Sequence, residues 1–309
     1  MKQYISRLVL FSAVMLLGQF ICAQSVETFD LDQAWIDKIR DLAPDEPAVN
    51  PEHVPRVLVF TLSTAFQHWA VPHKTAIMEV LSDKTGAFQM DQSTDIRIFE
   101  DLKEYDAVLL NNNCSAGERR DLFWDELGKI EGLTDKEREK MAARLEKNLI
   151  DFVKSGGGLM VLHGAIVMQN NSQEFSKMVG GSFDYHPVQQ EVKAELVEPG
   201  HPLLAGFNGQ PFVHMDEPYI FKNAYFDYNF RPLLSMDASA LHSLREEIKD
   251  PVIYISWIKR YGKGRVFYVS PSHNAQSFED PRLLKYYLDG LQYVTGDLEC
   301  DDSPMRRKP

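Results

Sequence analysis

The stretch GGGLMVLHGA, residues 156–165, decides the fold of this chain. Its glycines follow a long helical pattern and end that helix, because glycine readily adopts the conformation found after helix ends. The apolar residues 159–162 then predict a strand that is buried on both faces, as in a parallel sheet. His163 and two small residues follow, a pattern typical of the sharp strand-to-helix turn called a nucleophile elbow.

The rest of the chain alternates strands and helices around this segment. Short strands are predicted at 57–62, 88–93 and 107–110, and helices at 72–81 and 135–154. The longer helix has Thr134 as its expected N-cap. Its expected buried stripe consists of Met141, Leu145, Leu149 and Phe152. This alternation predicts an α/β protein with a mostly parallel sheet and helices on both faces.

The second half is less regular. Extended segments are predicted at 191–197 and 211–221, followed by two strands at 252–257 and 265–270 joined by the turn 261–264. A helix over 280–294 closes the domain.

The N-terminus predicts export. Lys2 and Arg7 flank the start of an apolar run that ends at Ala23, and the run is short for a membrane span. A signal peptide at 1–23 is therefore expected, with a membrane anchor and lipidation of Cys22 as alternatives. The predicted segments are then an N-terminal helix (26–45) and Pro-rich linker at 24–54, an α/β domain at 55–296 and a polar tail at 297–309. The mature protein would be periplasmic or secreted, with no membrane span.

Composition excludes several classes of protein. The 309 residues are 44% hydrophobic and 25% charged, which excludes a disordered or coiled-coil chain. The net charge of −12 and the lack of a basic stripe argue against nucleic-acid binding. Only three cysteines occur, which excludes a disulfide framework and a cysteine-based zinc finger. Neither composition nor pattern fixes the oligomeric state.

Three histidines lie at ends of predicted strands. His68 follows the first strand, His163 the fourth, and His273 the strand at 265–270. The carboxyl ends of parallel strands meet at one edge of a sheet, where ligands bind. We therefore expect these imidazoles to share a site, although any one of them alone could be a structural residue bonded to the backbone.

An acidic pair, Asp216 and Glu217, lies in apolar surroundings. Burying carboxylates is costly unless they are paired, hydrogen-bonded or coordinating. In an extended segment the two would point to opposite faces, so only one is expected to enter a pocket, and Glu217 shares its face with Tyr219. Several histidines and a carboxylate could bind a divalent metal, although no HExxH-type spacing is present. The candidate ligands are His68, His163, His186 and His273.

The order of these motifs resembles the trehalose-utilisation (ThuA-like) family over about residues 55–296. The matching segments are 66–68, 156–165, 179–183, 186–187, 201–202, 216–219, Trp257, 261–268 and 273–274. The resemblance implies a flavodoxin-like, class I glutamine-amidotransferase-like fold. It also implies a role in carbohydrate metabolism, acting on trehalose or other disaccharides, including sugars oxidised at carbon three. The N-terminal leader and the charged insert at about 115–140 depart from the simplest family pattern.

Two functions are compatible with this resemblance. The first is an enzyme that cleaves or modifies (3-keto-)glycosides by hydrolysis or elimination, with possible metal assistance. His163 or Glu217 would be the base, His273 the acid, and His68 or a metal would hold the ketone oxygen. The second is a non-catalytic carbohydrate-binding or accessory module. The candidate substrate-binding residues are Phe66, His68, His186, Asp216, Tyr219, Trp257 and Asn274. Glutaminase activity is not expected, because the elbow holds His163 instead of a cysteine.

Overall fold

The computed structural model describes residues 26–305. The strands within this range are β1 Arg56–Phe60, β2 Gln89–Ser93, β3 Ala107–Asn111, β4 Gly158–Leu162, β5 Ser182–Tyr185, β6 Gln190–Leu196, β7 Phe212–Asp216, β8 Ile220–Lys222, β9 Arg231–Asp237, β10 Val252–Tyr261 and β11 Gly264–Val269. The α-helices are α1 Gln33–Leu42, α2 Val71–Thr85, α3 Leu122–Leu127, α4 Asp135–Ser155, α5 Gln173–Val179 and α6 Pro281–Thr295. No helix in this part of the chain is both long enough and apolar enough to cross a membrane.

One large sheet organises the molecule, with the strand order β2-β1-β3-β4-β11-β10-β9-β6-β7. The first five strands are parallel, and each later neighbour pairs antiparallel. The order of the five parallel strands is the flavodoxin-like order 2-1-3-4-5. The predicted α/β, flavodoxin-like fold is therefore confirmed. Strands β5 and β8 form a separate antiparallel pair.

The register of the parallel strands determines which residues meet at their carboxyl edge. Leu162 at the end of β4 is aligned with Asn111 on β3 and with Val269 on β11. The next residues, Asn112, His163 and Ser270, therefore leave the sheet at nearly the same level. This alignment places the elbow histidine in the middle of the edge.

Helix α4 shows how local sequence sets the helix boundaries. Thr134 and Glu137 form a reciprocal capping box at its start, and Gly156 ends it with φ at 134°. Its buried residues are Ala142, Leu145, Leu149 and Val153. Leu145 and Leu149 of the expected stripe are therefore fully buried, whereas Met141 and Phe152 are partly buried and pack against the core.

Other boundaries differ from the sequence predictions for local reasons. Helix α1 is shorter than 26–45, because the Asp32 side chain accepts from Trp35 N and starts the helix there. Helix α2 continues beyond Leu81 until Gly86 ends it with φ at 63°. The predicted extended segment 211–221 is divided into β7 and β8, so residues 217–219 belong to neither strand. The predicted signal peptide lies outside the described residues.

Candidate functional site

His163 occupies a strained backbone position at the end of β4. Its φ is 46°, which non-glycine residues rarely adopt, and a 3-10 turn over His163–Val167 follows directly. The side chain is completely buried. Its Nδ1 lies 2.8 Å from the carbonyl oxygen of Ser270, which can only accept. Nδ1 therefore carries the proton, and the lone pair of Nε2 is directed elsewhere.

That lone pair points into a compact cluster, hereafter the four-residue cluster, formed by His68, His163, Glu217 and His273. The Nε2 atom of His163 lies 3.3 Å from Glu217 Oε2 and 3.3 Å from His273 Nδ1. The His273 Nδ1 atom lies 3.2 Å from the same Glu217 oxygen. One ligand atom from each of the four residues lies within 4.8 Å of the others. The structure thus brings together the three histidines that follow strand ends.

His68 completes the cluster from the loop after β1. Its ring centroid lies 5.4 Å from that of His163 and 5.2 Å from that of His273. Its Nδ1 is 3.9 Å from Cys114 Sγ, while its Nε2 is buried without a partner. A Cβ atom at Gly164 would lie 2.9 Å from both His68 Cε1 and Cys114 Sγ. The glycine of the elbow is therefore what lets His68 approach.

Asparagines after β3 hold the elbow and the neighbouring loop in place. The backbone N–H of Gly164 donates to Asn112 Oδ1 at 3.0 Å. The Asn113 amide donates to the carbonyl oxygens of Phe60 and Leu62 at the end of β1. These bonds fix the backbone directly after His163 and at the start of the loop that carries His68.

The outer side of the cluster carries the more exposed groups. His186 is 36% exposed, and its Nε2 lies 3.7 Å from Oε1 of Glu217, whose side chain is 15% exposed. The Nδ1 of His186 lies 2.8 Å from the carbonyl oxygen of Pro187, so it carries the proton. The ring of Tyr219 lies between His163 and His186, 4.3 Å and 5.7 Å from their centroids. Phe66 is 61% exposed and contacts His68 edge-on.

Asp216 lies beneath the cluster. Its Oδ2 accepts from the backbone N–H of Ser272 at 3.0 Å, and its Oδ1 lies 3.8 Å from His163 Nδ1. Of the two carboxylates, Glu217 is the one that belongs to the four-residue cluster. Strand β7 ends at Asp216, so strand alternation no longer applies to Glu217, and both carboxylates contact His163. Asp216 is almost completely buried, which leaves it a supporting position and no direct contact with a substrate.

Sequence analysis missed two buried residues near this site. His214 Nδ1 lies 3.2 Å from Asp216 Oδ2 and 3.1 Å from Ser277 Oγ. Its signal was present, because alternation along β7 puts His214 on the same buried face as Asp216. Lys74 on α2 is fully buried and its Nζ has no hydrogen-bond partner. No sequence pattern marks this lysine, since its burial depends on tertiary packing.

Burial shifts the pKa of most titratable groups here. It lowers the pKa of His163 to about 4 and that of His214 to about 3, and lowers that of His68 well below the usual range. Burial would raise the pKa of Glu217, but the adjacent His163 and His273 side chains outweigh it and lower that pKa. The imidazoles of His68, His163 and His214 are therefore neutral at pH 7, and Glu217 is ionised.

Burial also shifts the pKa of the acidic and basic groups below the cluster, in each case toward the neutral form of the group. Burial raises the pKa of Asp216 to about 7 and lowers that of Lys74 to about 7, the latter opposed by the charge of Asp216. Burial also raises the pKa of the Cys114 thiol to about 12. The thiol next to His68 is therefore protonated at neutral pH.

Two predicted sugar-binding residues lie elsewhere. Trp257 is fully buried, its indole N–H donates to the carbonyl oxygen of Val179 at 2.7 Å, and its ring packs on Phe230 and Tyr268. It belongs to the core, and its proposed contact with a sugar is wrong. Asn274 is also buried, and its side-chain N–H donates to the carbonyl oxygen of Met215 at 2.8 Å. Its amide connects β7 to the loop that carries His273.

Comparison with known proteins agrees with this architecture. The family model described as trehalose utilisation (ThuA) matches residues 56–294. The chain belongs to the ThuA family. No curated protein matches the chain. Among solved structures, a ThuA-like protein of Bacteroides uniformis is similar, with a TM-score of 0.58 at 18% identity over 80% of this chain and 94% of that one.

Two further solved structures have a similar fold. A ThuA-like protein of Parabacteroides merdae has a TM-score of 0.55 at 16% identity, covering 83% of this chain and 94% of its own. A Salmonella typhimurium protein described as cytoplasmic has a TM-score of 0.53 at 15% identity, covering 78% and 99%. At these identities the likeness concerns the fold.

Proposed function

We propose that this ThuA-family protein is an enzyme that cleaves or modifies (3-keto-)glycosides, such as trehalose-type disaccharides, at the four-residue cluster. The observation that carries the proposal is the meeting of three imidazoles and an ionised carboxylate at the carboxyl edge of the sheet. This position is where ligands bind in flavodoxin-like folds. The family description, trehalose utilisation, supports a sugar as the substrate.

A ketone at carbon three makes the glycosidic bond labile to elimination. The ketone acidifies the hydrogen at carbon two, and a base that removes this proton leaves an enolate. The enolate electrons then form a double bond between carbons one and two and expel the glycosidic oxygen, which must take up a proton. The reaction needs a proton carrier and a positive group near the ketone oxygen. Water added to the product completes a net hydrolysis.

Exposure decides which residues can carry the proton. His163 is completely buried, so it cannot touch a sugar directly and acts through Glu217. His186 is the exposed imidazole, and its Nε2 is free of a proton because Nδ1 faces the carbonyl oxygen of Pro187. We assign to His186 Nε2 the transfer of the proton from carbon two to the leaving oxygen. Glu217, 3.7 Å away, stabilises the imidazolium between these two steps.

The test is incubation of the chain with plain and 3-keto disaccharides, followed by chromatography of the released monosaccharide. We expect release from the 3-keto compounds and a loss of at least 100-fold in kcat for His186→Gln. His53→Gln, at an exposed position outside the site, is the matched control and should retain full activity. Sugar binding without turnover would favour the carbohydrate-binding module instead. A folded protein with no turnover of any plain or 3-keto disaccharide would contradict the proposal.

We also propose that the chain is exported through residues 1–23, with cleavage near Ala23. Mass spectrometry of the native protein should find an N-terminus near Gln24 in the periplasmic or extracellular fraction. An intact Met1 or an acylated Cys22 would contradict this.

A further inference from the structure

Three atoms of the four-residue cluster form an almost equilateral triangle. Its edges are 3.3 Å between His163 Nε2 and Glu217 Oε2, 3.3 Å between His163 Nε2 and His273 Nδ1, and 3.2 Å between His273 Nδ1 and Glu217 Oε2. A tetrahedral cation with bonds of about 2.0–2.1 Å separates its ligand atoms by roughly 3.3 Å. The triangle therefore has the size of one face of such a tetrahedron.

The lone pairs at these atoms need a common positive partner. His163 Nε2 has no proton, because Nδ1 donates to Ser270. The ionised oxygen of Glu217 can only accept. A single proton on His273 Nδ1 would have to be shared between both acceptors. The fourth member, His68, has a buried Nε2 without any partner, which is costly in a protein interior.

We propose that the four-residue cluster binds one divalent transition-metal cation, through one nitrogen each of His68, His163 and His273 and one oxygen of Glu217. Three imidazoles and a carboxylate suit Zn²⁺, Co²⁺ or Ni²⁺, whereas Mg²⁺ and Ca²⁺ prefer oxygen ligands. The set differs from the sequence prediction in one member. Glu217 takes the place of His186, whose Nε2 faces the other carboxylate oxygen.

The surroundings orient the ligands as in known metal sites. Metal-bound histidines usually donate their second N–H to a carbonyl or carboxylate, as His163 does to Ser270. The Tyr219 ring, 4.3 Å from that of His163, fixes the plane of the imidazole. Gly164 provides the space in which His68 approaches. One ligand atom of each of the four residues thus lies within 4.8 Å of the others.

The consequence for catalysis rests on the proposed function. A cation at the cluster supplies the positive charge that an enolate oxygen requires. His163 and His273 are then ligands, and proton transfer remains with the exposed His186. Binding of the cation itself does not depend on the identity of the sugar.

The experiment measures metal binding without substrate. The chain is stripped with a chelator, dialysed against Zn²⁺ or Co²⁺, and its metal content determined by elemental analysis, with the visible absorption of bound Co²⁺ as a second readout. We expect about one equivalent per chain and the absorption of Co²⁺ in a low-symmetry site. The affinity should fall at least 100-fold in His273→Ala and at least ten-fold in Glu217→Gln, since Gln retains one weak oxygen ligand.

Two matched variants define the ligand set. His186→Ala and His53→Ala should each retain one equivalent with unchanged affinity. Loss of binding in His186→Ala would overturn the ligand set. The proposal as a whole fails if the folded wild-type chain binds no cation at 100-fold molar excess, or if His273→Ala and Glu217→Gln bind as tightly as wild type. Metal binding without 3-keto turnover would refute only the proposed function. Turnover by the metal-free chain would refute only the role of the cation in turnover.

Discussion

His163 and Glu217 lie 3.3 Å apart, although β4 and β7, the strands that directly precede them, are separated by four strands in the sheet. In a flat sheet with strands about 4.8 Å apart, five spacings would put them roughly 24 Å from each other. The antiparallel half must therefore curl over the carboxyl edge of the parallel half. This curl brings the acidic pair onto the histidines.

Replacing His163 should lower both the turnover rate and the free energy of unfolding. Asparagine tolerates the left-handed φ of 46° but cannot fill the buried space or reach Ser270. For His163→Asn we expect a loss of turnover of at least 100-fold and a decrease of about 1–3 kcal/mol in the free energy of unfolding. His163→Ala should be less stable than His163→Asn by about 1 kcal/mol because of backbone strain. Urea denaturation checks the order of the three proteins; equal stability of all three would contradict it.

Adding one methyl group at Gly164 should displace His68. The new Cβ would lie 2.9 Å from His68 Cε1, far inside normal contact distance. We expect Gly164→Ala to lower metal affinity and turnover at least ten-fold and the free energy of unfolding by about 1–3 kcal/mol. Gly200→Ala is the control, since no atom lies within 4 Å of its Cβ position. Its stability should stay within about 0.5 kcal/mol of wild type. Equal metal affinity, turnover and stability of the Gly164→Ala and Gly200→Ala variants would show that the position of His68 does not depend on this close contact.

The buried His214 should make the fold sensitive to acid. Its pKa is lowered to about 3 by burial, against an ordinary value near 6.5 in the unfolded chain. Between these values the unfolded chain binds more protons, so the free energy of unfolding decreases as pH falls from 6.5 to 3. His214→Gln keeps a polar side chain that does not titrate. The variant should therefore lose stability less steeply than wild type over this range, as measured by urea denaturation at successive pH values. If the free energy of unfolding of both proteins fell equally steeply with pH, His214 would not contribute to the acid sensitivity.

Substitutions at Trp257 and Phe66 should distinguish a residue that packs in the core from one that contacts the sugar. Trp257→Phe removes the N–H that donates to the carbonyl oxygen of Val179 and should lower the free energy of unfolding by about 1–3 kcal/mol, with unchanged KM. Phe66→Ala removes a ring that is 61% exposed and should raise KM with little effect on stability. A rise in KM for Trp257→Phe alone would contradict the assignment of this residue to the core.

Glutamine should not be a substrate. The elbow carries an imidazole, and the thiol near it, Cys114, has a pKa raised to about 12 by burial, so no thiolate is available. We expect no more ammonia from glutamine with wild type than with His163→Asn or Cys114→Ser. A higher rate for wild type would overturn this.

The sequence by itself determined the parallel half of the fold. Apolar runs such as 159–162, the glycines after α4 and the histidines after strand ends are local signals, and the carboxyl ends of parallel strands must meet at one edge. That rule predicted the meeting of His68, His163 and His273 without knowledge of side-chain positions. Local signals also located α4, because its capping box and terminal glycine lie within a few residues of its ends.

Only the tertiary structure decided which other groups join these histidines. The pairing of Glu217 with His163, the burial of Lys74 and the assignment of Trp257 to the core depend on how the antiparallel strands curl and pack. These contacts join segments far apart in the chain, and no local pattern encodes their distance. The same holds for the choice between Glu217 and His186 beside the three imidazoles, since it depends on distances that are set only when the antiparallel half packs against the carboxyl edge.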